Sequence, residues 1–594
     1  MTLMTRYIHI ITLSFITAVT VIVWAAPAAA QTLYTSFVYA PKYEVRAVWL
    51  TTFGGLDWPH THALSPGTRE KQQAELRDIL DRLQAAGVNT VLFQVRTRAM
   101  VLYPSAYETW DPCLTGREGV SPGYDPLLFA VDECHKRGME IHAWLATIPI
   151  GSVKGKGYKD LKSKHPELVT VLNGKGLLNP EKEGTANYIA KICKEITERY
   201  DVDGIHLDFI RYPETWNFGD KRRGKGQNAA AAARREQGRA YITAIVRRIH
   251  DAVKSVKPWV KMSCAPVGKY SDLTRYSSRG WNAHDAVCQD VHTWLRDGLM
   301  DEIFPMMYFR DNQFFPFALD WKENAYGRIV APGLGIYMLT PKEGNWDIGQ
   351  VKRQMNVLRA IGLGHAYFRS KFLTDNTKGI YSFVKDCADL YPALVPPMTW
   401  YNVKAPDAPK GFNVHYTPEG DLLTWNDRSQ GDDYMTYNIY ASTSLPVDIN
   451  DPTNIVRARY RGEGAVLPPS GGQRHYAVTA TNRYGMESAP AVVDDDRYYD
   501  YDTAAAPLTT DYFPLLPNDG RALTLPDKGY ALTADYVTVE TLQGTILMTA
   551  PYARNVSIAR LPEGMYVLKS LGKKGVTHRL GFFTVRRKLE QREN

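Results

Sequence analysis

Cysteine is scarce in this chain, with six in 594 residues. Cys113, Cys134, Cys193, Cys264, Cys288 and Cys387 suit neither a zinc site nor a small disulfide framework in their spacing. Cys193 and Cys264 lie inside apolar patterns and read as buried thiols; one bridge among the other four stays open. No cysteine follows the apolar N-terminal run, which argues against a lipoprotein. Long disordered tracts are missing too, as expected of a globular composition. The first predicted strand lacks a Gly-rich phosphate turn after it, since Thr52-Phe53-Gly54-Gly55-Leu56 is not one. That disfavours a doubly wound nucleotide-binding sheet. The formal charge excess is only +8, enough to favour anionic partners without demanding them. Nothing in the sequence calls for a cofactor.

What is present begins with a targeting pattern. Arg6 precedes an apolar run from Tyr7 to Trp24, and Ala28-Ala29-Ala30 offers small residues for cleavage before Gln31. Residues 1–30 are therefore expected to be a signal peptide, with a membrane anchor as the alternative. In both cases the protein is exported, to the periplasm, the cell surface or the extracellular space.

From about 43 to 395 strands alternate with helices. The strands are expected at Val45–Thr51, Thr90–Arg96, Glu140–Leu145, Gly204–Ile210, Lys261–Ala265, Glu302–Tyr308, Arg328–Gly333 and His365–Arg369. Helices are expected at Thr68–Ala86, Pro126–Arg137, Thr185–Tyr200, Ala229–Val256, Ile348–Ile361 and Lys378–Leu390. Eight strands alternating with helices predict an α/β chain built on a (β/α)₈ TIM barrel with enlarged loops. Two small all-β sandwich domains are expected after it, at 405–492 and 505–594, joined by the Tyr/Asp-rich linker Asp494–Asp502.

The stretch Asp203-Gly204-Ile205-His206-Leu207-Asp208-Phe209-Ile210-Arg211 reads as a buried strand ending in a carboxylate. Alternation sends Gly204, His206, Asp208 and Ile210 to one face and Ile205, Leu207 and Phe209 to the other. An inward aspartate at the C-terminal end of a barrel strand is placed for chemistry. Glycosidic bonds are cut by a pair of carboxylates, and Asp208 suits the nucleophile or base. The alternative is a structural aspartate paired with Arg46, Arg96, Arg98 or Arg211. Asp203 starts the strand at the far end and reads as a turn or cap residue. For the general acid, Asp311 after the sixth strand and Asp272 after the fifth rank above Asp290 and Glu302.

Further inward or loop residues are candidates for holding a sugar. They are Trp58, Gln94, Arg96, His142, Trp144, His206, Arg211 and Tyr308, with Trp144, Tyr308 and Trp58 as stacking platforms. Basic runs, Lys154, Lys156, Lys159, Lys162, Lys164 and then Lys221, Arg222, Arg223, Lys225, flank this face and would attract an anionic glycan. Nucleic acid would suit the charge but not an exported barrel of this kind. A metal amidohydrolase would need His60 and His62 with His142, His206 and Asp208, yet His60 and His62 stand well beyond the strand end. No metal is therefore assigned.

Several blocks resemble one family. They include Glu44-Val45-Arg46-Ala47-Val48-Trp49-Leu50-Thr51-Thr52, Asp57-Trp58-Pro59, Phe93-Gln94-Val95-Arg96, Tyr103-Pro104-Ser105, Gly123-Tyr124-Asp125-Pro126-Leu127, His142-Ala143-Trp144-Leu145 and the Asp203–Pro213 stretch. The barrel resembles the glycosyl-hydrolase-like proteins of family ten, which include a divisome enzyme that cleaves peptide-free peptidoglycan strands. The resemblance implies a barrel hydrolase acting on an extracytoplasmic glycan, with Asp208 in the place of the motif aspartate. The chain departs from the family pattern at Phe209, where many relatives have a second aspartate, at Met100-Val101-Leu102 and at Ala146-Thr147. These departures leave the acid unassigned and keep a non-catalytic glycan-binding scaffold as the rival reading. Residues 405–492 resemble a fibronectin type III module. Leu561-Pro562-Glu563-Gly564-Met565-Tyr566-Val567-Leu568 with Arg586-Arg587-Lys588 resembles a type IX secretion sorting domain. That second resemblance implies secretion machinery as a partner; another small sandwich is the equal alternative.

Overall fold

The computed structural model describes residues 40–219, 229–276, 280–417, 419–426, 434–493 and, with short gaps, 516–585. The apolar N-terminal run, the basic run at 221–225, the linker at 494–502 and the basic end at 586–588 lie outside the described residues. Eight parallel strands close on one another. They are β1 Arg46–Leu50, β2 Thr90–Thr97, β3 Glu140–Ala146, β4 Gly204–Asp208, β5 Lys261–Cys264, β6 Glu302–Ile303, β7 at Ile329–Val330 and Gly333–Leu334, and β8 His365–Tyr367. Each pairs with the next in sequence. Closure runs through β7, whose first half pairs with β6 (Glu302 opposite Ile329) and whose second half pairs with β8 (Gly333 opposite Ala366). Arg46 opposite His365 completes the ring. The strands are buried along their length, as both faces of a parallel barrel must be. Trp49, Leu92, Trp144, Ala265, Phe304 and Ala331 fill the interior, while Val48, Val91, Ile141, Ile205 and Met262 meet the helices outside.

Local chemistry starts the helices where the pattern places them. Ser65 and Thr68 form a reciprocal capping box at the head of Pro66–Ala85. Asp125 accepts from the Leu127 and Leu128 amides, both at 3.1 Å, before Pro126–Lys136. Helices Glu183–Arg199, Ala229–Lys254, Phe315–Glu323 and Ile348–Ala360 follow. The helix expected at Lys378–Leu390 is present from Ile380 to Ala388, α-helical to Phe383 and then widened to a π turn at Val384–Ala388; it starts after Lys378 because that residue takes a left-handed φ of 51°. Between β3 and β4 the chain adds a small antiparallel sheet (Pro149–Ser152, Val169–Leu172, Lys175–Leu178) that periodicity did not signal. All six cysteines are free thiols, so the bridge left open by the spacing is not formed. No helix among the described residues is long and apolar enough to cross a membrane.

Two β units follow. In the first, a three-stranded sheet (Lys410–Thr417, Gly420–Asn426, Gly464–Leu467) accompanies a four-stranded one (Ile455–Tyr460, Thr436–Ser442, His475–Thr481, Ala491–Val492). Both line a core containing Trp425, Tyr437, Ile439, Tyr476 and Val478. The second unit is a four-stranded antiparallel sheet with a short pair, around Leu523, Val537, Val539, Val556, Leu568 and Phe583.

The first β unit docks on the N-terminal end of the barrel, opposite the strand ends that carry Asp208. Arg459, on its strand Ile455–Tyr460, reaches Glu140 at 2.8 Å and Asp203 at 2.6 Å. Arg483 and Arg461 pair with Asp201 beside them. Gly138 lets the two backbones meet. Its φ is +71°, and a Cβ there would stand 2.2 Å from the Ala458 carbonyl oxygen. A substitution of Arg459 by Met removes the cation that two carboxylates of the barrel floor share. It should cost about 3 kcal/mol or more in urea unfolding, and adding Glu140→Gln and Asp203→Asn should recover part of the loss.

Candidate active site

Asp208 ends β4 inside the C-terminal mouth of the barrel and is buried. The chain turns at the next residue. Phe209 has φ +53°, and its amide closes back on Asp208 Oδ1 at 2.7 Å. Trp144, two residues before the end of β3, donates its indole N–H to Oδ2 at 3.1 Å. Each carboxylate oxygen thus has one fixed donor, which sets the plane of the group. Thr147 anchors the same turn by donating its amide and hydroxyl to the Asp208 carbonyl, both at 2.9 Å. Burial pushes the Asp208 carboxyl up to about 6, against the opposing pull of Arg211 and the two donors. At neutral pH it is mostly ionised, but poised.

Tyr308 stands close by. Burial first, and then the charge of Asp208, push its hydroxyl well above the ordinary phenol range, and that hydroxyl has no hydrogen-bond partner. Its ring packs on Phe368 and Tyr337, with centroids 5.1 and 5.6 Å away. Arg211 also lies at this mouth, with a buried Nε that no acceptor reaches. A buried polar group without a partner is costly. Two of them beside a poised carboxylate mark a place where a polyhydroxylated ligand supplies the missing contacts.

The other expected residues part company with this cluster. Trp58 is fully buried; its indole donates to the Gln72 carbonyl at 2.9 Å and its ring packs on Phe93, so it anchors a loop and offers no face to a sugar. Gln94 faces inward, but its carbonyl oxygen accepts from the Thr51 hydroxyl and the Thr52 and Phe53 amides, which holds the loop after β1. Arg96 leaves the interior altogether. A register shift between Gln94 and Arg96 breaks the alternation, and Arg96 pairs with Glu108 at 2.6 Å outside the strands. Trp144 is a donor to Asp208 rather than a stacking platform. His142 and His206 lie deeper. Burial holds the His206 imidazole well below its ordinary value, hence neutral; it accepts from the Trp49 indole at 3.3 Å and donates to Ser263 Oγ at 3.0 Å. His142 meets the same Ser263 and Glu140. Both histidines are packed into the barrel floor.

Asp311 and Asp272 are exposed loop residues, and no hydrogen bond or ion pair joins either to Asp208. Asp311 pairs at 3.8 Å with Arg353. Asp290 accepts from Tyr270 at 2.7 Å. Of the arginines weighed as partners for Asp208, Arg46 pairs with Glu44, Arg98 with Asp111, and only Arg211 acts on Asp208. His60 and His62 are exposed, and no group of three His, Cys, Asp or Glu among the described residues has the geometry of a metal site. Sequence reasoning missed the open aromatics of this region, Phe209 and Trp281, whose rings flank Arg211. Alternation along β4 assigned Phe209 to the packed outer face; the left-handed turn instead leaves it exposed and sends Ile210 into the core.

The raised value of Asp208 has a stability consequence. Its proton is held more tightly in the folded chain than in the unfolded one, so its contribution to stability falls as pH rises from about 4 to about 6. The fall is at most on the order of 3 kcal/mol. In thermal melts across that window, Asp208→Asn should show a flatter decline than wild type.

Comparison with known proteins gives the family. The family described as glycosyl hydrolase-like 10 matches residues 44–338. The glycosyl hydrolase YngK of Bacillus subtilis (strain 168) is 30% identical over 413 residues, which is 65% of this chain and 79% of that protein. The glycosyl hydrolase DigH of Escherichia coli (strain K12) is 31% identical over 286 residues, 44% of this chain and 65% of that protein. Among solved structures, the glycoside hydrolase domain of PgaB (BpsB) from Bordetella bronchiseptica aligns with a TM-score of 0.41 at 12% identity, over 58% of this chain and 98% of that one. The matched residues include β1 to β7, Asp208 and Trp144, and the chain belongs to the glycosyl hydrolase-like 10 family of glycoside hydrolases.

Proposed function

We propose that this protein is an exported hydrolase of peptidoglycan glycan strands, with Asp208 as the carboxylate that acts at the anomeric carbon. The observation that carries the assignment of Asp208 is its setting. It is buried at the end of β4, pinned by the Phe209 amide and the Trp144 indole, and raised to about 6. A carboxylate in this state is ionised at neutral pH yet basic enough to serve as nucleophile or base. Tyr308 and Arg211 supply hydrogen bonds to the sugar.

The glycan is suggested by the sequence blocks shared with the enzyme that acts on peptide-free strands, and by charge. Lys154, Lys159, Lys162 and Lys164 are exposed on the excursion between β3 and β4, whereas Lys156 is engaged with Asp160 at 2.8 Å. A strand freed of its peptides is polyanionic, and these exposed lysines, of which Lys162 also donates to the Pro166 carbonyl at 3.1 Å, would draw it in. Export rests on the run Tyr7–Trp24 with Arg6 before it and Ala28–Ala30 after it. The unit at 405–492 is read as a fibronectin type III-like module. The last unit is read as a sorting domain that would engage secretion machinery.

Incubating the purified protein with peptide-free peptidoglycan strands should release new reducing ends. Asp208→Asn should lower the rate by ~10²–10⁴-fold, and a chelator should leave it unchanged. Binding without release by wild type would replace the hydrolase with a scaffold. The rate should climb with pH through about 6 as Asp208 ionises. Because the indole donor favours the charged form, Trp144→Phe should move that limb of the kcat/KM profile to higher pH.

A further inference from the structure

The turn after β4 builds a feature that the cleavage step does not use. Arg211 is only 5% exposed, yet it is flanked by two rings open to solvent. Its guanidinium carbon lies 5.0 Å from the Phe209 ring centre and 5.3 Å from that of Trp281, and those residues are 40% and 42% exposed. One prong of the guanidinium, Nη1, holds Glu214 Oε1 at 2.8 Å and approaches the Tyr212 carbonyl at 3.5 Å. Nε is buried without an acceptor. Glu214 is three residues further along the same turn, and its side chain is 53% exposed.

These contacts are unequal in kind. The guanidinium is fixed by burial and by two aromatic faces. Its carboxylate partner is a half-exposed side chain on a loop, held through one prong only, and an ion pair of that sort is worth little. A planar fork held rigid with a weakly held anion is prepared for a better-placed carboxylate. The rings on either side offer the apolar face that a pyranose needs, and Asp208 is within electrostatic reach of the same guanidinium.

We infer that Arg211 determines specificity for an acidic sugar: the sugar's carboxylate takes the place of Glu214 on the guanidinium while the ring lies against Phe209 or Trp281. This rests on the hydrolase reading above, and it names the group recognised as the lactyl carboxylate of muramic acid in a peptide-free strand. Glu214 is then a placeholder that keeps Arg211 neutralised until substrate arrives, and a neutral glycan gains nothing from the exchange.

The test compares peptide-free strands with the same strands after reduction of their carboxyl groups to alcohols. Wild type should show a KM at least about tenfold lower on intact strands, the worth of one charge-assisted contact. Glu214→Gln alters an exposed side chain, so it should fold; it should lower KM on intact strands and leave reduced strands unaffected. Arg211→Gln should erase the preference by raising KM on intact strands, whereas any fall in kcat, as the Asp208 carboxyl loses the pull of Arg211, should be alike on the two glycans; Arg211→Lys should restore the preference in part. Equal KM values on the two glycans in wild type, or an unchanged KM on intact strands in Glu214→Gln, would overturn the inference while leaving the hydrolase standing. If wild type cleaves neither glycan, the peptidoglycan reading fails. Co-sedimentation of the two glycans with wild type and Glu214→Gln then decides the role of Arg211: preference for intact strands, strengthened in the variant, upholds it, and its absence overturns it.

Discussion

The barrel floor is held by Arg459, a residue the barrel does not itself contain. Strand β3 begins at Glu140, which is buried, and Asp203 stands just before β4 with its side chain 13% exposed. Lys261 from β5 meets Glu140 at 2.6 Å, and His135 meets Asp203 at 2.9 Å. The β unit adds Arg459, which bridges both carboxylates. Burial would push both carboxyls up; Lys261 and Arg459 instead hold Glu140 at about 2, and Arg459 and His135 hold Asp203 well below its ordinary range. A buried pair is costly to assemble and costlier to break, so barrel and β unit stand or fall together. The unit is therefore a structural plug as much as an appendage. The last β unit packs on it in turn, with Lys569 2.9 Å from Glu463.

The two ends of the barrel differ in how their polar groups are satisfied. At the floor, Glu140, Asp203, Asp301 and Asp389 each have a cation or several donors. At the mouth, Asp208 has two neutral donors, while Tyr308 Oη and Arg211 Nε have no hydrogen-bond partner. A raised carboxyl alone does not mark the mouth as special. Glu302, on the floor, is pushed to about 7 by burial with both oxygens unpartnered, and the His142 ring stands 3.9 Å away. What separates Asp208 from Glu302 is location: one stands where strands end and loops open, the other under the docked β unit.

Most of the barrel was legible because its signals are local. Strands buried on both faces are apolar runs, helices carry Ser65 and Asp125 as caps, and glycines such as Gly138 close them. Asp208 was legible because a carboxylate that ends an apolar strand is carried into the interior with it, where a charge is costly unless it has a partner or a task. The rest of the site was hidden by breaks in alternation. The register shift at Gln94/Arg96 carries Arg96 out of the interior, and the left-handed turn at Phe209 exchanges the environments of Phe209 and Ile210. Neither break involves a glycine or proline that would announce it. Trp58 looked like a sugar platform because a loop tryptophan is indistinguishable in sequence from a buried one until its neighbours, Gln72 and Phe93, are known.

By itself the sequence determined the fold class, the order of the strands, and the identity of the carboxylate at the end of β4, since these depend on periodicity and caps within a few residues. Only the tertiary structure decided which polar groups are spent on one another and which remain for a ligand. Gln94, Arg96 and His206 are chemically as suited to a sugar as Tyr308 and Arg211. Their partners come from residues far away in the chain, Thr51, Glu108 and Trp49 among them, and hydrogen bonding in a closed interior is a property of the whole neighbourhood rather than of the residue.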